Sequence, residues 1–193
     1  MSIETEIKIK LENPDEIRKK LVSLGAKFID NQREFDIFFD IGEAGFRQSD
    51  QVGRLRLQGD KATLTYKGPR KVDEVVCERE EIETYVEDFE KMRKIIRGWG
   101  HKEGENSEKI RETFECEGIK ILIDKVAFIG WWIELEGGKE KILKVANKLG
   151  LDMTKAEKRH YGEIYSDFCE KTGCPFVREM TFEKEKEWLR VKK

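Results

Sequence analysis

Histidine, proline and cysteine are scarce in this chain of 193 residues, with 2, 3 and 4 copies. The cysteines are scattered and form no Cys-x-x-Cys pair, which argues against a zinc site built from paired cysteines. Cys169 and Cys174 could pair with each other or bind a metal, but no second ligand cluster accompanies them. Because no secretory signal is present, we expect reduced thiols in a cytoplasmic protein.

Long apolar runs and a large net charge are also absent. No apolar segment approaches the roughly 20 residues of a membrane span, so no membrane partner is expected. Lys plus Arg number 38 and Asp plus Glu 40, and the net charge of -2 gives no global field that would attract nucleic acid. Charged residues make up 40% of the chain, and this Lys and Glu enrichment is typical of proteins from thermophiles.

Charges alternate with apolar residues along several predicted strands. In the segment 3–10 the odd positions are apolar or small, and the opposite face carries Glu4, Glu6, Lys8 and Lys10. The same alternation recurs at residues 54–57, 109–111 and 133–136. One face of the predicted sheet therefore gathers acidic and basic side chains together.

Eight strands are predicted between turn signals, at residues 3–11, 34–40, 53–59, 62–68, 75–83, 108–116, 119–127 and 130–136. The short loops between several of them favour antiparallel hairpins. Amphipathic patterns predict four helices: 14–24, one from a capping box at 84–87 to about 100, one at about 140–149, and one from a second capping box at 154–157 to 173. We predict a domain of residues 1–174 and a tail, 175–193, with a short helix packed by Trp188.

The fold class expected from these elements is α+β, an eight-stranded antiparallel closed β-barrel with helices packed outside. Closure removes exposed strand edges and places the charged face inside the barrel. Because each unpaired buried ion costs several kcal/mol, the lumen must be hydrated, internally paired or filled by a ligand. Guanidinium and ammonium groups suit phosphate oxygens, and clustered carboxylates suit a hard divalent cation. The pattern therefore favours a metal-polyphosphate complex as the ligand.

The residues Glu4-Thr5-Glu6-Ile7-Lys8 match the E-x-E-x-K signature of the CYTH superfamily, the triphosphate tunnel metalloenzymes. Further charged motifs follow in the family's order: Arg54-Leu55-Arg56, Lys67, Arg79-Glu80-Glu81-Ile82-Glu83, Lys109-Ile110-Arg111, Asp124 and Glu134-Leu135-Glu136. The resemblance covers about residues 1–168 and is greatest to the class IV adenylyl cyclase branch.

The resemblance implies a role for each of these motif residues. The metal ligands would be Glu4, Glu6, Glu134 and Glu136, and the triphosphate cradle would comprise Lys8, Arg54, Arg56, Lys67, Lys109 and Arg111. Lys8 and Asp124 would be catalytic, with Asp124 orienting a base or assisting a metal. Glu81 is the inward, substrate-side member of its strand on this interpretation, but Glu80 and Glu83 compete because a register shift of one residue reverses the faces.

Other residues near these motifs receive no role from the sequence. His101 and His160 are interpreted as surface or capping groups, and Tyr161 and Tyr165 as helix core, although a helix near the tunnel could supply a tyrosine hydroxyl. Trp132 shares the parity of Glu134 and could contact an organic group.

The expected function is a Mg²⁺- or Mn²⁺-dependent enzyme acting on an organic triphosphate, which on the resemblance converts ATP to cyclic AMP and pyrophosphate. One alternative is a triphosphatase that hydrolyses inorganic or thiamine triphosphate. Another is a noncatalytic nucleotide- or polyphosphate-binding module, which would keep the cations and lack the carboxylates, whereas both acidic pairs are present here. The expected partner is a triphosphate-containing small molecule, and a homodimer stays open.

Overall fold

The computed structural model describes residues 2–40, 48–72 and 76–192, and its strands form a closed antiparallel barrel. The strands are β1 Ser2–Leu11, β2 Lys27–Asp40, β3 Val52–Gln58, β4 Lys61–Lys67, β5 Lys71–Val72, β6 Cys77–Val86, β7 Lys102–Cys116, β8 Ile119–Val126, β9 Gly130–Glu136 and β10 Glu179–Met180. Eight of them follow the order β1-β9-β8-β7-β2-β3-β4-β6, and pairing of β6 with β1 closes the ring. The predicted fold class is confirmed.

Helices cover the outside of this barrel: α1 Pro14–Ser23, α2 Phe89–Gly98, α3 Lys139–Leu149, α4 Tyr161–Thr172 and α5 Phe182–Val191. The main core forms where the apolar faces of α1 and α3 meet the outer faces of β1, β8 and β9. Fully buried residues such as Leu21, Ile142 and Val145 pack there with Ile121 and Leu135. Burial of each such side chain contributes about 1.5–3 kcal/mol, so the apolar parity of the strands sets which face turns outward. Among the described residues, no helix is long and apolar enough to cross a membrane.

Two strands extend well before the starts that the sequence predicts. β2 begins at Lys27 and β7 at Lys102, and the two strands pair from Lys27 opposite Glu115 to Asp40 opposite Lys102. The added segments are largely polar, so they carry no alternation that the sequence analysis detects, and the ladder between the two strands holds them extended. β6 ends at Val86, past the predicted end at 83, and residue 75 of that prediction lies outside the described residues.

Both predicted capping boxes are wrong. Thr84 lies within β6, and α2 begins after Asp88, whose side chain accepts a hydrogen bond from the Lys91 amide. Residues 153–155 form a short 3-10 turn capped by Asp152, and α4 begins only at Tyr161. At that start, the backbone N–H of His160 donates to the Glu163 carboxylate at 2.7 Å. His160 is therefore a capping residue, as the sequence analysis expected.

The predicted tail helix is present as α5, and the tail packs against the barrel. β10 pairs with β7, and the backbone N–H of Phe182 donates to the buried carboxylate of Glu108 at 2.9 Å. Trp188 packs its ring against Phe128 and Phe168. These contacts link α5 to α4, which also lies in this aromatic cluster through Tyr165.

Candidate active site

Three carboxylates meet at one end of the lumen, where β1 and β9 run side by side. Glu6 lies opposite Glu136 in the ladder, and Glu4 is the next residue of β1 on the same face. Their oxygens lie within 4.8 Å of one another. The structure therefore brings together three of the four residues expected to bind a metal.

The pKa values of Glu6 and Glu136 are raised, chiefly because burial disfavours their negative charge. Burial raises the pKa of Glu136 to about 7, and nearby Glu4 and Glu134 add to the effect against Arg111. Burial likewise raises the pKa of Glu6, with Lys8 opposing it. Hard oxygen donors that repel one another in a low-dielectric site are what a divalent cation stabilises. The donor set therefore fits a divalent metal ion.

Glu134, the fourth expected ligand, lies outside this group and pairs with two cations. One of its oxygens accepts from the Arg111 guanidinium, and the other lies 3.4 Å from the Lys8 ammonium. Although burial opposes ionisation, Arg111 and Lys8 hold the pKa of Glu134 well below its usual range. Its carboxylate is thus charged, compensated and engaged in orienting the cations.

Two arginines of the expected cradle are held in bidentate pairs. Arg56 donates to both oxygens of Asp36 at 2.6 and 2.8 Å, and Arg111 donates to both oxygens of Asp124 at 2.7 and 2.6 Å. Glu34 lies between them, with one oxygen 2.9 Å from Arg56. Such fork-to-fork pairs fix the guanidinium planes before any ligand arrives.

The two lysines of the central lumen are held more loosely. Lys109 Nζ lies 3.4 Å from Glu34 and 3.6 Å from Asp124. Burial disfavours the charge of Lys8, but Glu6 and Glu134 outweigh it and raise the pKa of the Lys8 ammonium. Lys8 is therefore a retained positive charge, suited to stabilising an anion and unsuited to accepting a proton at neutral pH.

Tyr161, the first residue of α4, closes part of this region. Its hydroxyl donates to Asp124 at 3.3 Å, and its ring centroid lies 4.5 Å from Lys8 Nζ. Burial raises the pKa of this phenol well above its usual value, so the hydroxyl keeps its proton. From the sequence, Tyr161 was expected in the helix core, and a tyrosine hydroxyl reaching the tunnel was the alternative. Its ring does pack edge-to-face on Trp132, and its hydroxyl also reaches the lumen.

The strand register places two of the three candidate glutamates of β6, Glu81 and Glu83, on the lumen face and excludes Glu80. Glu81 lies opposite Lys67, and its carboxylate is 3.3 Å from Lys67 Nζ and 3.8 Å from Arg54. Glu83 has the same parity and lies 3.6 Å from Arg54. Glu80 has the opposite parity and therefore faces outward. Lys67 also pairs with Glu4, which connects this corner to the carboxylate group.

Three further charged residues of the lumen were missed by the sequence analysis: Glu34, Asp36 and Arg79. Glu34 and Asp36 alternate with Phe35 and Ile37 in a predicted strand, which is the same alternation that identified the other lumen residues. Arg79 was quoted as part of the β6 motif and received no role. Because β6 alternates, Arg79 shares the inward face of Glu81.

A cavity of about 770 Å³ lies at the rim of the barrel, where β1 begins and β9 ends. Its lining includes the carboxylates of Glu4 and Glu136 together with the apolar side chains of Ile3, Leu24 and Ile119. This volume falls within the roughly 300–1,000 Å³ of small-molecule sites. Gly137 directly follows β9 at this rim and has a φ of +152°. A Cβ atom added to Gly137 would lie 2.6 Å from the Ile119 side chain.

Together, a closed lumen, a carboxylate cluster and buried guanidinium and ammonium groups define a tunnel for a polyanion and a divalent cation. The model of the CYTH domain matches residues 2–161. The chain belongs to the CYTH family, whose triphosphate tunnel fold binds triphosphate substrates and implies a divalent metal ion.

Similar proteins have been named or solved in several organisms. A Methanocaldococcus jannaschii protein named "putative adenylate cyclase" is 39% identical over an alignment of 148 positions, and the match covers 74% of this chain and 84% of that protein. A solved Pyrococcus horikoshii OT3 structure is 31% identical with a TM-score of 0.72, and the match covers 85% of this chain and 98% of that one. A third solved structure, from Hippeastrum, is described as a putative adenylyl cyclase with a dominant triphosphatase activity. It has a TM-score of 0.63 at 18% identity, and the match covers 91% of this chain and 98% of that one. At this identity the similarity shows the fold alone.

Proposed function

We propose that this chain is a divalent-cation-dependent enzyme that acts on an organic triphosphate, converting ATP to cyclic AMP and pyrophosphate in the manner of class IV adenylyl cyclases. The observation that carries the proposal is the juxtaposition of the Glu4, Glu6 and Glu136 carboxylates with a lumen of buried cations. A noncatalytic phosphate-binding module would need the cations alone. The name of the Methanocaldococcus relative also supports a cyclase.

The cations of the lumen would bind the phosphate chain. Lys8, Lys67 and Lys109 act as point charges whose present carboxylate contacts, mostly at 3.3–3.9 Å, can be exchanged for phosphoryl oxygens. Arg56 and Arg111 keep their aspartate partners and turn their remaining N–H groups toward the ligand. Phosphoryl transfer asks the protein mainly for positioning and for stabilisation of the developing charge, and this set supplies both.

Glu4, Glu6 and Glu136 would hold the divalent cation, either Mg²⁺ or Mn²⁺. When bound, such a cation neutralises phosphate oxygens and stabilises the attacking or leaving oxygen of the displacement. Glu134 and Asp124 orient the Arg111 guanidinium through direct hydrogen bonds. Tyr161 keeps its proton and donates it to Asp124 as a hydrogen bond, which holds that carboxylate in place.

The organic part of the substrate would lie in the cavity at the barrel rim. Ile3, Leu24 and Ile119 give this cavity an apolar surface beside the carboxylates that would hold the cation. A base placed there lies next to its own phosphate chain inside the lumen. On this proposal the catalytic residues all lie within residues 1–174, and the tail supplies packing alone.

A triphosphatase is the second candidate, because the lumen contacts described above depend on the phosphate chain and are indifferent to the organic group. In a cyclase, the ribose 3′-hydroxyl attacks the alpha phosphorus and pyrophosphate leaves. In a triphosphatase, water attacks the terminal phosphorus and orthophosphate leaves. The open cavity at the rim would admit either a nucleoside or water.

The test is to incubate the purified protein with Mg²⁺ or Mn²⁺ and, separately, ATP, inorganic triphosphate and thiamine triphosphate, and to resolve the products. We expect cyclic AMP and pyrophosphate in equal amounts from ATP. Orthophosphate as the dominant product from any of the three would establish the triphosphatase instead. If no triphosphate is turned over with either metal, the enzymatic proposal fails.

A further inference from the structure

Arg79 lies on the lumen face of β6 and is almost fully enclosed, with 5% of its surface exposed. It lies directly opposite Glu4 in the β1 ladder and two residues from Glu81 on the same strand. The neighbouring strand places Lys67 opposite Glu81. Arg79 therefore lies beside both the carboxylate group and the cradle.

The guanidinium of Arg79 is held by backbone carbonyls. Its Nε and Nη2 donate to the Gly68 carbonyl at 3.0 and 2.6 Å, and Nη2 also donates to the Asp50 carbonyl at 3.1 Å. A guanidinium has five N–H donors, and these bonds leave the two on Nη1 for another acceptor. The carbonyl contacts thus fix the plane of the group and leave one edge available.

Arg79 differs from the other cations of the lumen because none of the described carboxylates pairs with it. Within the described part of the chain, every member of the expected cradle has a carboxylate oxygen within 4.0 Å, and Arg79 has none. A carbonyl dipole compensates a buried positive charge only in part. Burial accordingly lowers the pKa of Arg79, although Asp50 opposes the effect.

The surroundings of His160 indicate a local excess of positive charge at the same place. Burial lowers the pKa of this imidazole to about 4, and the nearby cations Arg70, Arg79 and Lys8 lower it further. Arg70 is neutralised by Asp50, at 2.7 Å. Arg79, in contrast, forms no ion pair within 4.0 Å with any carboxylate of residues 2–40, 48–72 and 76–192, although Asp50 and Glu4 attract its charge from farther away.

On the basis of the proposed function, we propose that Arg79 is an additional phosphate ligand, and that a phosphoryl oxygen of the polyphosphate supplies the anionic partner that the described residues do not. On this proposal the bonds to the Gly68 and Asp50 carbonyls hold the guanidinium, and Nη1 is the group that donates to the phosphoryl oxygen. Arg79 would bind the phosphoryl group that lies next to the carboxylate cluster. Neither the sequence resemblance nor the cradle of paired cations assigns it this role.

The experiment measures the binding of inorganic triphosphate by calorimetry in EDTA, which removes the metal from the comparison. Charge-assisted hydrogen bonds contribute about 1.5–3 kcal/mol, so Arg79→Gln should weaken binding roughly 10- to 100-fold. Arg79→Lys keeps the charge and loses the fork, and an intermediate affinity is expected. The matched control is Arg93→Gln on α2, outside the barrel, which removes a bidentate pair with Glu103 and should leave affinity unchanged.

Thermal unfolding of each variant without ligand separates binding from packing. If Arg79→Gln has a lower melting temperature and wild-type triphosphate affinity, then Arg79 only stabilises the loops at Gly68 and Asp50, and the inference is overturned. If Arg79→Gln does not fold, the inference stands or falls on Arg79→Lys, which must bind triphosphate more weakly than the wild type. If the wild type binds inorganic triphosphate in EDTA and turns over no triphosphate with Mg²⁺ or Mn²⁺, the proposed function fails and the Arg79 comparison still holds. If the wild type binds no inorganic triphosphate in EDTA, the Arg79 inference fails, and the turnover assay alone decides the proposed function.

Discussion

The cations of the lumen differ in how firmly carboxylates hold them. Arg56 and Arg111 each make two short bonds to one aspartate, whereas Lys8 and Lys109 lie 3.4–3.9 Å from their carboxylate partners. Breaking a bidentate pair inside the protein costs about 3–5 kcal/mol, because it leaves an unpaired buried charge. The arginines therefore form the fixed frame of the lumen, and the lysines can exchange their partners for phosphate.

A substitution at Glu136 tests the proposed metal site by changing a single oxygen donor. The change Glu136→Gln removes a charged oxygen donor and keeps the size of the side chain, so metal-dependent turnover should fall by roughly 100-fold or more. The control is Glu112→Gln, which removes an ion pair with Arg18 on the outer surface. Steady-state assays with Mg²⁺ check both variants, and retention of wild-type activity in Glu136→Gln would refute its assignment.

Glu136 also predicts how the metal-free protein responds to pH. The pKa of Glu136 is about 7 in the folded protein, against 4.5 for a glutamate in an unfolded chain. Between pH 4.5 and 7 the folded state therefore holds a proton that the unfolded chain releases. Stability therefore falls as pH rises through this window, by about 3 kcal/mol in total. In urea titrations with EDTA from pH 4.5 to 8, Glu136→Gln should lose less stability than the wild type. An equal or larger loss in the variant would be inconsistent with the raised pKa.

At the level of elements, apolar alternation predicted where the strands and helices lie, but it did not predict the ends of those elements whose ends are polar. The outward residues of β8 and β9 are strongly apolar, and both strands match their predicted bounds to within one residue. The starts of β2 and β7 are polar segments that stay extended because each pairs with the end of the other strand, in contacts between residues up to 88 positions apart (27 and 115). Local sequence carries no signal of such a contact.

The predicted starts of α2 and α4 failed for a related reason, whereas α1 and α3 begin within one residue of their predicted starts. Thr84 and Thr154 satisfy the capping pattern, but β6 pairs with β4 through Thr84, and the turn at 153–155 leads into a bridge between Ala156 and Ile9. Tertiary hydrogen bonds therefore replaced the local caps. The later start of α4 is what brings Tyr161 to the end of the lumen.

Trp188 connects the tail to the barrel, and a substitution tests how much this contact between α5 and α4 stabilises the protein. Its ring centroid lies 5.5 Å from that of Phe168 on α4 and 6.2 Å from that of Phe128. Trp188→Ala should lower the free energy of unfolding by about 2 kcal/mol or more, since a partly buried indole is lost. Trp99, which is 70% exposed on the far end of α2, is the matched control, and Trp99→Ala should change stability by less than about 0.5 kcal/mol. Equal effects of the two changes in denaturant titrations would mean that α5 does not depend on this contact.

For the whole molecule, barrel closure follows from the parity of charge, and the detailed pairing inside it does not. The alternation in β1, β3, β7 and β9 was enough to predict that one ionic face turns inward, and the expected residues do line one lumen. The choice of partners depends on the shear of the barrel, which sets Glu6 opposite Glu136 and Lys8 opposite Glu134. That stagger separates Glu134 from the other three acids, and no local pattern encodes it.

Charge balance across the lumen explains why a fold with so many buried ions is stable. Most of the described acids and bases of the lumen neutralise one another, while among them Glu136 and Arg79 have no close ion-pair partner inside the lumen. The two sites have opposite sign and adjoin each other through the ladder between Glu4 and Arg79. A divalent cation and a polyphosphate bound together would complete both.

The most direct measurement is the anomalous diffraction of Mn²⁺ in crystals grown with inorganic triphosphate. We predict a manganese peak bonded to the carboxylates of Glu4, Glu6 and Glu136, with the triphosphate inside the barrel among Lys8, Lys67 and Lys109. A manganese peak away from these three glutamates, or a triphosphate bound on the outer surface, would contradict the account.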